Sequence, residues 1–450
     1  MDILLALGIS AAGLVTTVLR GGWIFYPLLL TLGLLGGLYW RRGVGLKPLL
    51  QMMQAGIGKS LGVLSILLLI GALIAAWMAA GTVPALVYYG LLLIQPRLFI
   101  LSAFVLTALV SMLIGTSFGA VGTLGVALMI MARGNAIDDH LVAGAIIAGA
   151  YVGDRCSPLS SSAHLVATLT GTPLYRNLRA MMVTSLAPLV ASLAIYLALS
   201  WRNPLQTTDS PIQAALAEAF DLSPEVLLPA IAILLMVALR VPVKRTLLVS
   251  LGLAVVLALG LQGYTPAELA QMLVVGFRID TSAVLAPLLQ GGGLLPMARV
   301  CLVVVVSTAL AGLLVGMQTL ALVERWLGGL RSRRSLFIGT LLVSLLTAAY
   351  GCTQTIAILL THQLIEPHYG RAQLRAEQAA LDLENTAVVL SPLVPWNLAG
   401  LVPATLLMTD AGFIPYAVYL YLLPLFMLIG HTFRGGREGY SAGNFVQDPL

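Results

Sequence analysis

Charge is what this chain has least of. Of 450 residues only 9% are Asp, Glu, Lys or Arg, while 59% are hydrophobic; soluble domains carry roughly 25% charged residues. So little charge excludes an ordinary water-facing globular surface, and the mean hydropathy of +0.98 describes the whole length. Cysteine is scarce too: Cys156, Cys301 and Cys352 are far apart, which excludes a disulfide ladder and a Cys-based metal motif. Nothing reads as a soluble domain, a low-complexity tail or a nucleotide-binding loop, so no cofactor is expected. The net charge of +6 comes from basic residues in short loops between apolar runs. That is the positive-inside pattern, and no nucleic-acid partner is expected. Met1-Asp2 leads straight into apolar residues without a basic n-region or an Ala-x-Ala site, which reads as a retained first membrane helix.

What is present is a series of apolar runs long enough to cross a bilayer as helices. They lie near 3–20, 23–40, 60–80, 98–132, 141–170, 179–200, 226–241, 246–263, 300–317, 335–363, 386–408 and 412–431. Shorter segments at 84–95 and 318–330 read as hairpins or half-helices. The expected fold is all-α and polytopic, with about 11–13 transmembrane helices. Leu98 to Ala132 carries no charge, and as one helix would span about 52 Å, against a hydrocarbon core of roughly 30 Å. A break is therefore placed at Gly115–Thr123, whose Thr116, Ser117 and Thr123 offer hydroxyls to a dehydrated ion or polar solute. Gly115 and Gly119 equally fit close helix packing. Arg41-Arg42, Arg240 with Lys244-Arg245, and Arg331, Arg333 and Arg334 are read as cytoplasmic. The acidic loop 203–225, with Asp209, Glu218, Asp221 and Glu225, is read as external.

Two halves align weakly. Ala85-Leu86-Val87 matches Ala321-Leu322-Val323, and Leu98-Phe99-Ile100 matches Leu336-Phe337-Ile338. Gly115-Thr116-Ser117 falls against Gly351-Cys352-Thr353, and Ser157-Pro158-Leu159 against Ser391-Pro392-Leu393; the four offsets are 236, 238, 236 and 234. Arg97 alone precedes the second anchor in the first half, whereas three arginines precede it in the second. This difference in charge suggests opposite sidedness of equivalent loops, which suits inverted repeats with broken helices and re-entrant hairpins. The expected division is N-terminal helices 1–57, repeat one 58–202, external loop and linking helices 203–263, repeat two 264–433 and a tail 434–450.

The polar residues cluster at these breaks. Asp154 precedes Ser157, Ser160, Ser161, Ser162 and His164. With Ser157 as N-cap and Pro158 at N1, the segment reads as a half-helix whose positive end faces a cavity. A capped helix beside a solvated aspartate is the plainer reading, and His164 alone suits a packing role. In the second half Thr353 and Gln354 answer the first break, and Asp382, Glu384, Asn385 and Thr386 lead into Ser391, Pro392, Pro395, Trp396 and Asn397. Glu384 is the candidate coupling acid, unless Asp382 and Glu384 lie solvated beside Arg375. Trp396 fits either a substrate pocket or an interfacial aromatic belt.

These blocks resemble the NhaC-type sodium/proton antiporter family. The resemblance runs through Gly71-Ala72-Leu73-Ile74, Gly81-Thr82-Val83-Pro84, Gly115-Thr116-Ser117, Gly122-Thr123-Leu124-Gly125 and Gly153-Asp154 with Ser157-Pro158-Leu159-Ser160. It continues through Gly276-Phe277, Gly291-Gly292, Leu383-Glu384 and Ser391 to Asn397, from about residue 70 to 410. It implies a secondary transporter with two inverted repeats, coupled to H+ and/or Na+, multi-pass in a bacterial-type inner membrane and often a homodimer. Its partners would be the lipid bilayer and a small ion or organic solute. Na+ would sit near Asp154 and Ser157, with no firm metal site. Where the family continues Ser-Asp-Thr-Thr-Asn, this chain has Ser160-Ser161-Ser162-Ala163-His164. Ser161 thus replaces an intramembrane aspartate, which favours exchange of a small carboxylate or amino acid as the second reading. A passive channel lacks a repeated filter here. A hydrolase built on His164 and Ser160–Ser162 would need a dyad from neighbours too close in sequence.

Overall fold

The computed structural model describes residues 2–205, 211–239, 241–279, 285–286, 288–317, 327, 329–330 and 332–433. Most of the expected segment 318–330, its Ala321-Leu322-Val323 anchor, Asp209, Arg240, Arg331 and the tail 434–450 lie outside the described residues. The chain is an all-α polytopic membrane protein. Among the described residues its strands are one antiparallel pair, Phe277–Arg278 and Gln290–Gly291.

The first helices are α1 (Asp2–Leu19), α2 (Phe25–Arg41), α3 (Leu46–Ala79), α4 (Thr82–Leu93) and α5 (Phe99–Ile114). Then come α6 (Ser117–Arg133), with a π segment at Val121–Gly125, α7 (Asp139–Cys156), α8 (Ser161–Thr170) and α9 (Leu174–Arg202). The middle holds α10 (Pro211–Ala219), α11 (Leu228–Ala238), α12 (Val243–Gly260), α13 (Pro266–Val275) and α14 (Leu294–Gly316). The last part holds α15 (Arg333–Gly351), α16 (Gln354–Arg371), α17 (Ala376–Asn385), α18 (Leu398–Leu406) and α19 (Val418–Phe433). Among the described residues six helices are long and apolar enough to cross a bilayer, or eight if two bent pairs each count as one span. Three of the apolar runs divide, 98–132 at Gly115, 141–170 at 157–160, and 335–363 at 352–353, and the first and last of these still supply one such helix each, Pro96–Ile114 and Arg333–Gly351. The stretch 203–225 is not an open loop, because it contains α10, whose Ile212 and Leu216 are buried along with Phe220.

Packing then carries the breaks toward one another. A Cβ built on Gly153 would stand 2.3 Å from the Ala108 carbonyl, and one on Gly149 would stand 2.3 Å from that of Phe104. Bare backbone on α7 therefore lets α5 lie directly against it. Ser111 Oγ on α5 donates to Ala150 O on α7 at 2.5 Å. The C-terminal end of α7, with Asp154, is thereby fixed beside the break that follows α5.

Candidate functional site

Helix α5 ends because Gly115 turns left-handed (φ +73°), and Thr116 continues in extended conformation. The second half repeats this at Cys352 (φ +56°) and extended Thr353. These two positions are 237 residues apart. So are Asp138 and Arg375, which precede α7 and α17, and Ser160 and Asn397, the N-caps of α8 and α18. The two Ser-Pro-Leu tripeptides are 234 residues apart. They are thus three residues out of step with the backbone, and their sequence match does not mark equivalent places.

Their local roles differ from expectation as well. Ser157 is the C-cap of α7, not the N-cap of the next helix, because Ser160 N donates back to Ser157 O at 3.1 Å and closes a turn over Pro158-Leu159. The N-cap is Ser160, whose Oγ accepts from Ala163 N at 3.3 Å. Ser391 is still helical, opening a 3-10 turn, and its hydroxyl donates to Ala387 O at 2.6 Å. Here the cap is Asn397, whose Oδ1 accepts from Ala399 N at 3.0 Å. The end of α15 frees carbonyls that need donors, and the residues around Asn397 supply them. Asn397 Nδ2 donates to Ala348 O (2.7 Å), Trp396 Nε1 to Ala349 O (2.7 Å) and Leu398 N to Cys352 O (2.9 Å). Trp396 and Asn397 therefore clamp a broken helix, and their polar atoms are taken.

The halves meet at Arg155, which is fully buried. Its guanidinium donates to Glu384 O at 3.2 Å and Asn385 Oδ1 at 2.5 Å on α17. On α9 it reaches Met181 O (3.2 Å), Thr184 Oγ1 (3.3 Å) and, at short range, Ser185 Oγ; on α19 it reaches Tyr419 OH (3.4 Å). Every one of these acceptors is neutral. Asp154 Oδ1, Glu384 Oε1 and Oε2, and Asn385 Nδ2 are buried with no hydrogen-bond partner. Glu384 lies within electrostatic reach of both Arg155 and Asp154, and Ser117 and Ser160 stand beside the Asp154 carboxyl. Tyr151, one turn before Asp154, donates to Ala399 O in the other half at 2.7 Å.

Asp382 is a different case. It is fully buried, but Arg333 grips it through two N–H groups, Nη2 to Oδ1 at 2.7 Å and Nη1 to Oδ2, and Tyr369 OH donates to Oδ2 at 2.5 Å. Neither Asp382 nor Glu384 is solvated beside Arg375.

Of the residues singled out from the sequence, Ser117, Asp154, Ser160, Glu384 and Asn385 come together. Ser157 is buried next to them, its Oγ accepting from Leu159 N at 3.2 Å. Thr123 bonds back to Gly119 O (2.7 Å), Thr386 to Asp382 O (2.6 Å), Gln354 to Val388 O (3.0 Å), and Thr353 caps α16 by accepting from Ile356 N (3.1 Å). Thr116 is half-buried at the break. Ser161 and His164 are exposed on α8, with His164 Nε2 3.0 Å from Pro158 O. Among the described residues no group of three His, Cys, Asp or Glu side chains could hold a metal ion. The residue that sequence reasoning missed is Arg155. Its signal is a lone arginine inside the apolar run 141–170, where a charge needs a reason.

Comparison with known proteins places this geometry. The chain matches the Na+/H+ antiporter family over residues 3–170 and 149–433. It is 29% identical to the malate-2H+/Na+-lactate antiporter of Bacillus subtilis, over 90% of this chain and 88% of that protein. It is 29% identical to the Na+/H+ antiporter NhaC of Alkalihalophilus pseudofirmus, over 89% and 88%. It is 30% identical to the arginine/ornithine antiporter ArcD of Halobacterium salinarum, over 82% and 78%.

Proposed function

This chain belongs to the Na+/H+ antiporter family and is a secondary antiporter, and we propose that it couples its fluxes at the carboxyls of Asp154 and Glu384. One observation carries the reading: three carboxylate oxygens, Asp154 Oδ1 and both of Glu384, are buried with no partner. A dry carboxylate without a partner is costly as an anion, and a proton or a cation relieves that cost. Two such groups within electrostatic reach of each other form a single site for which H+ and a second cargo compete, which is the requirement for exchange. Ser117, Ser160 and Asn385 are the neutral groups that complete it. Alternating access is the natural cycle if 58–202 and 264–433 act as inverted repeats, a reading supported by the 237-residue recurrence of breaks and caps. The setting is a bacterial-type inner membrane.

The first test is sodium addition to everted vesicles that hold a pH gradient. Collapse of the gradient is expected, and absence of any response from mildly acidic to alkaline pH rules out Na+ as the exchanged ion. A second reading, exchange of a small organic solute, is favoured by Ser161, where the resemblance to the NhaC-type family implies an aspartate, and by the similarity to malate/lactate and arginine/ornithine antiporters. Proteoliposomes loaded with lactate or ornithine and offered malate or arginine test it; no exchange of either pair would remove its support.

A further inference from the structure

We infer that Arg155 is the fixed counter-charge of the transport site and sets the number of cations that the site takes at one. This role rests on the proposed coupling at Asp154 and Glu384. An arginine is not deprotonated in a protein, so Arg155 contributes one positive charge throughout the cycle. Its side chain has no freedom to leave, since its N–H groups are spent on α9, α17 and α19. Among the described residues no carboxylate lies within ion-pair distance of it, and all its acceptors are neutral. The charge is therefore balanced at a distance: the acid within its reach is Glu384, whose backbone oxygen it holds, and Glu384 is in turn within reach of Asp154. Ser161 is uncharged and exposed on α8, and adds nothing to this sum.

With both acids ionised the site carries two negative charges and one positive. A single H+ or Na+ makes it neutral. Net charge in a dry interior is expensive, so the neutral, singly loaded form is the one that can be occluded. Without Arg155 the same two acids would need two cations to reach neutrality.

The experiment uses the full chain in proteoliposomes, with Na+ as the probe, and reads the Na+ dependence of the initial rate of pH-gradient collapse. Wild type is expected to give a Hill slope of about one, Arg155→Lys about one, and Arg155→Gln a slope rising toward two. Asn385→Asp leaves Arg155 in place and adds a third acid against its Nη2; its slope also rises toward two, and it decides the matter if Arg155→Gln fails to assemble. A wild-type slope retained in Arg155→Gln, or in Asn385→Asp should the first variant not fold, overturns the counter-charge role alone. No sodium response in wild type overturns that role together with sodium coupling at this site. A purely structural arginine would lower the rate or the yield and leave the slope where it was.

Discussion

Asp382 and Glu384 are two residues apart on α17, both fully buried, and each lies near an arginine. Arg333 takes Asp382 in a two-pronged grip that Tyr369 completes. Arg155 bypasses the Glu384 carboxyl, bonding its backbone oxygen, and leaves both side-chain oxygens open. The contrast separates two uses of a buried acid. Where the carboxylate is gripped by donors on both oxygens, the charge pair fixes the end of α15 to α17 and has nothing left to exchange. Where the arginine is held by neutral oxygens instead, both carboxylate oxygens stay open, which is the basis of the transport role proposed for Glu384.

Breaking this contrast at its open side should have the largest effect. Glu384→Gln and, separately, Asp154→Asn are expected to reduce exchange to the background of empty vesicles while assembly and thermal midpoint in detergent stay near wild type. Transport assays and thermal scans on the same preparations check both halves of that statement. At the closed side the pattern should reverse. Asp382→Asn leaves Arg333 without its acid and should cost about 3 kcal/mol of stability, read as a lower thermal midpoint and yield, with exchange per folded molecule retained. The scaffold around the site should respond more weakly. Gly115→Ala forces a side chain into left-handed backbone at φ +73°, 2.5 Å from Leu159 Cβ, and about 1–2 kcal/mol of strain is expected. Smallest is Thr353→Ala, which deletes the cap that receives Ile356 N, a loss of about 1 kcal/mol in the thermal scan.

Much of the architecture is legible in the sequence because bilayer thickness limits what an apolar run can be. Residues 98–132 are too long for one helix, and the break falls at Gly115. The candidate carboxyls are legible for a related reason, since Asp154 lies within the apolar run 141–170 and Glu384 stands just before the run 386–408. What stays hidden depends on contacts distant in sequence. Whether Trp396 and Asn397 face a substrate or hold backbone is decided by the orphaned carbonyls of Ala348 and Ala349, almost fifty positions earlier. Asp382 cannot be told from Glu384 without knowing which one Arg333 reaches. The Ser-Pro-Leu pair misleads for a local reason: proline can come after a C-cap, as at Pro158, or open a 3-10 turn, as at Pro392, and the tripeptide looks the same.

Carbodiimide labelling with peptide mass spectrometry tests the open-versus-closed distinction most directly. A hydrophobic carbodiimide reacts with a protonated carboxyl in an apolar setting and leaves a stable acylurea, irrespective of which solute the protein exchanges. Adducts are predicted on Glu384 and Asp154, reduced by an excess of the exchanged cargo, and none on Asp382. An adduct on Asp382 with Glu384 and Asp154 unmodified would contradict the assignment of the open acids to transport.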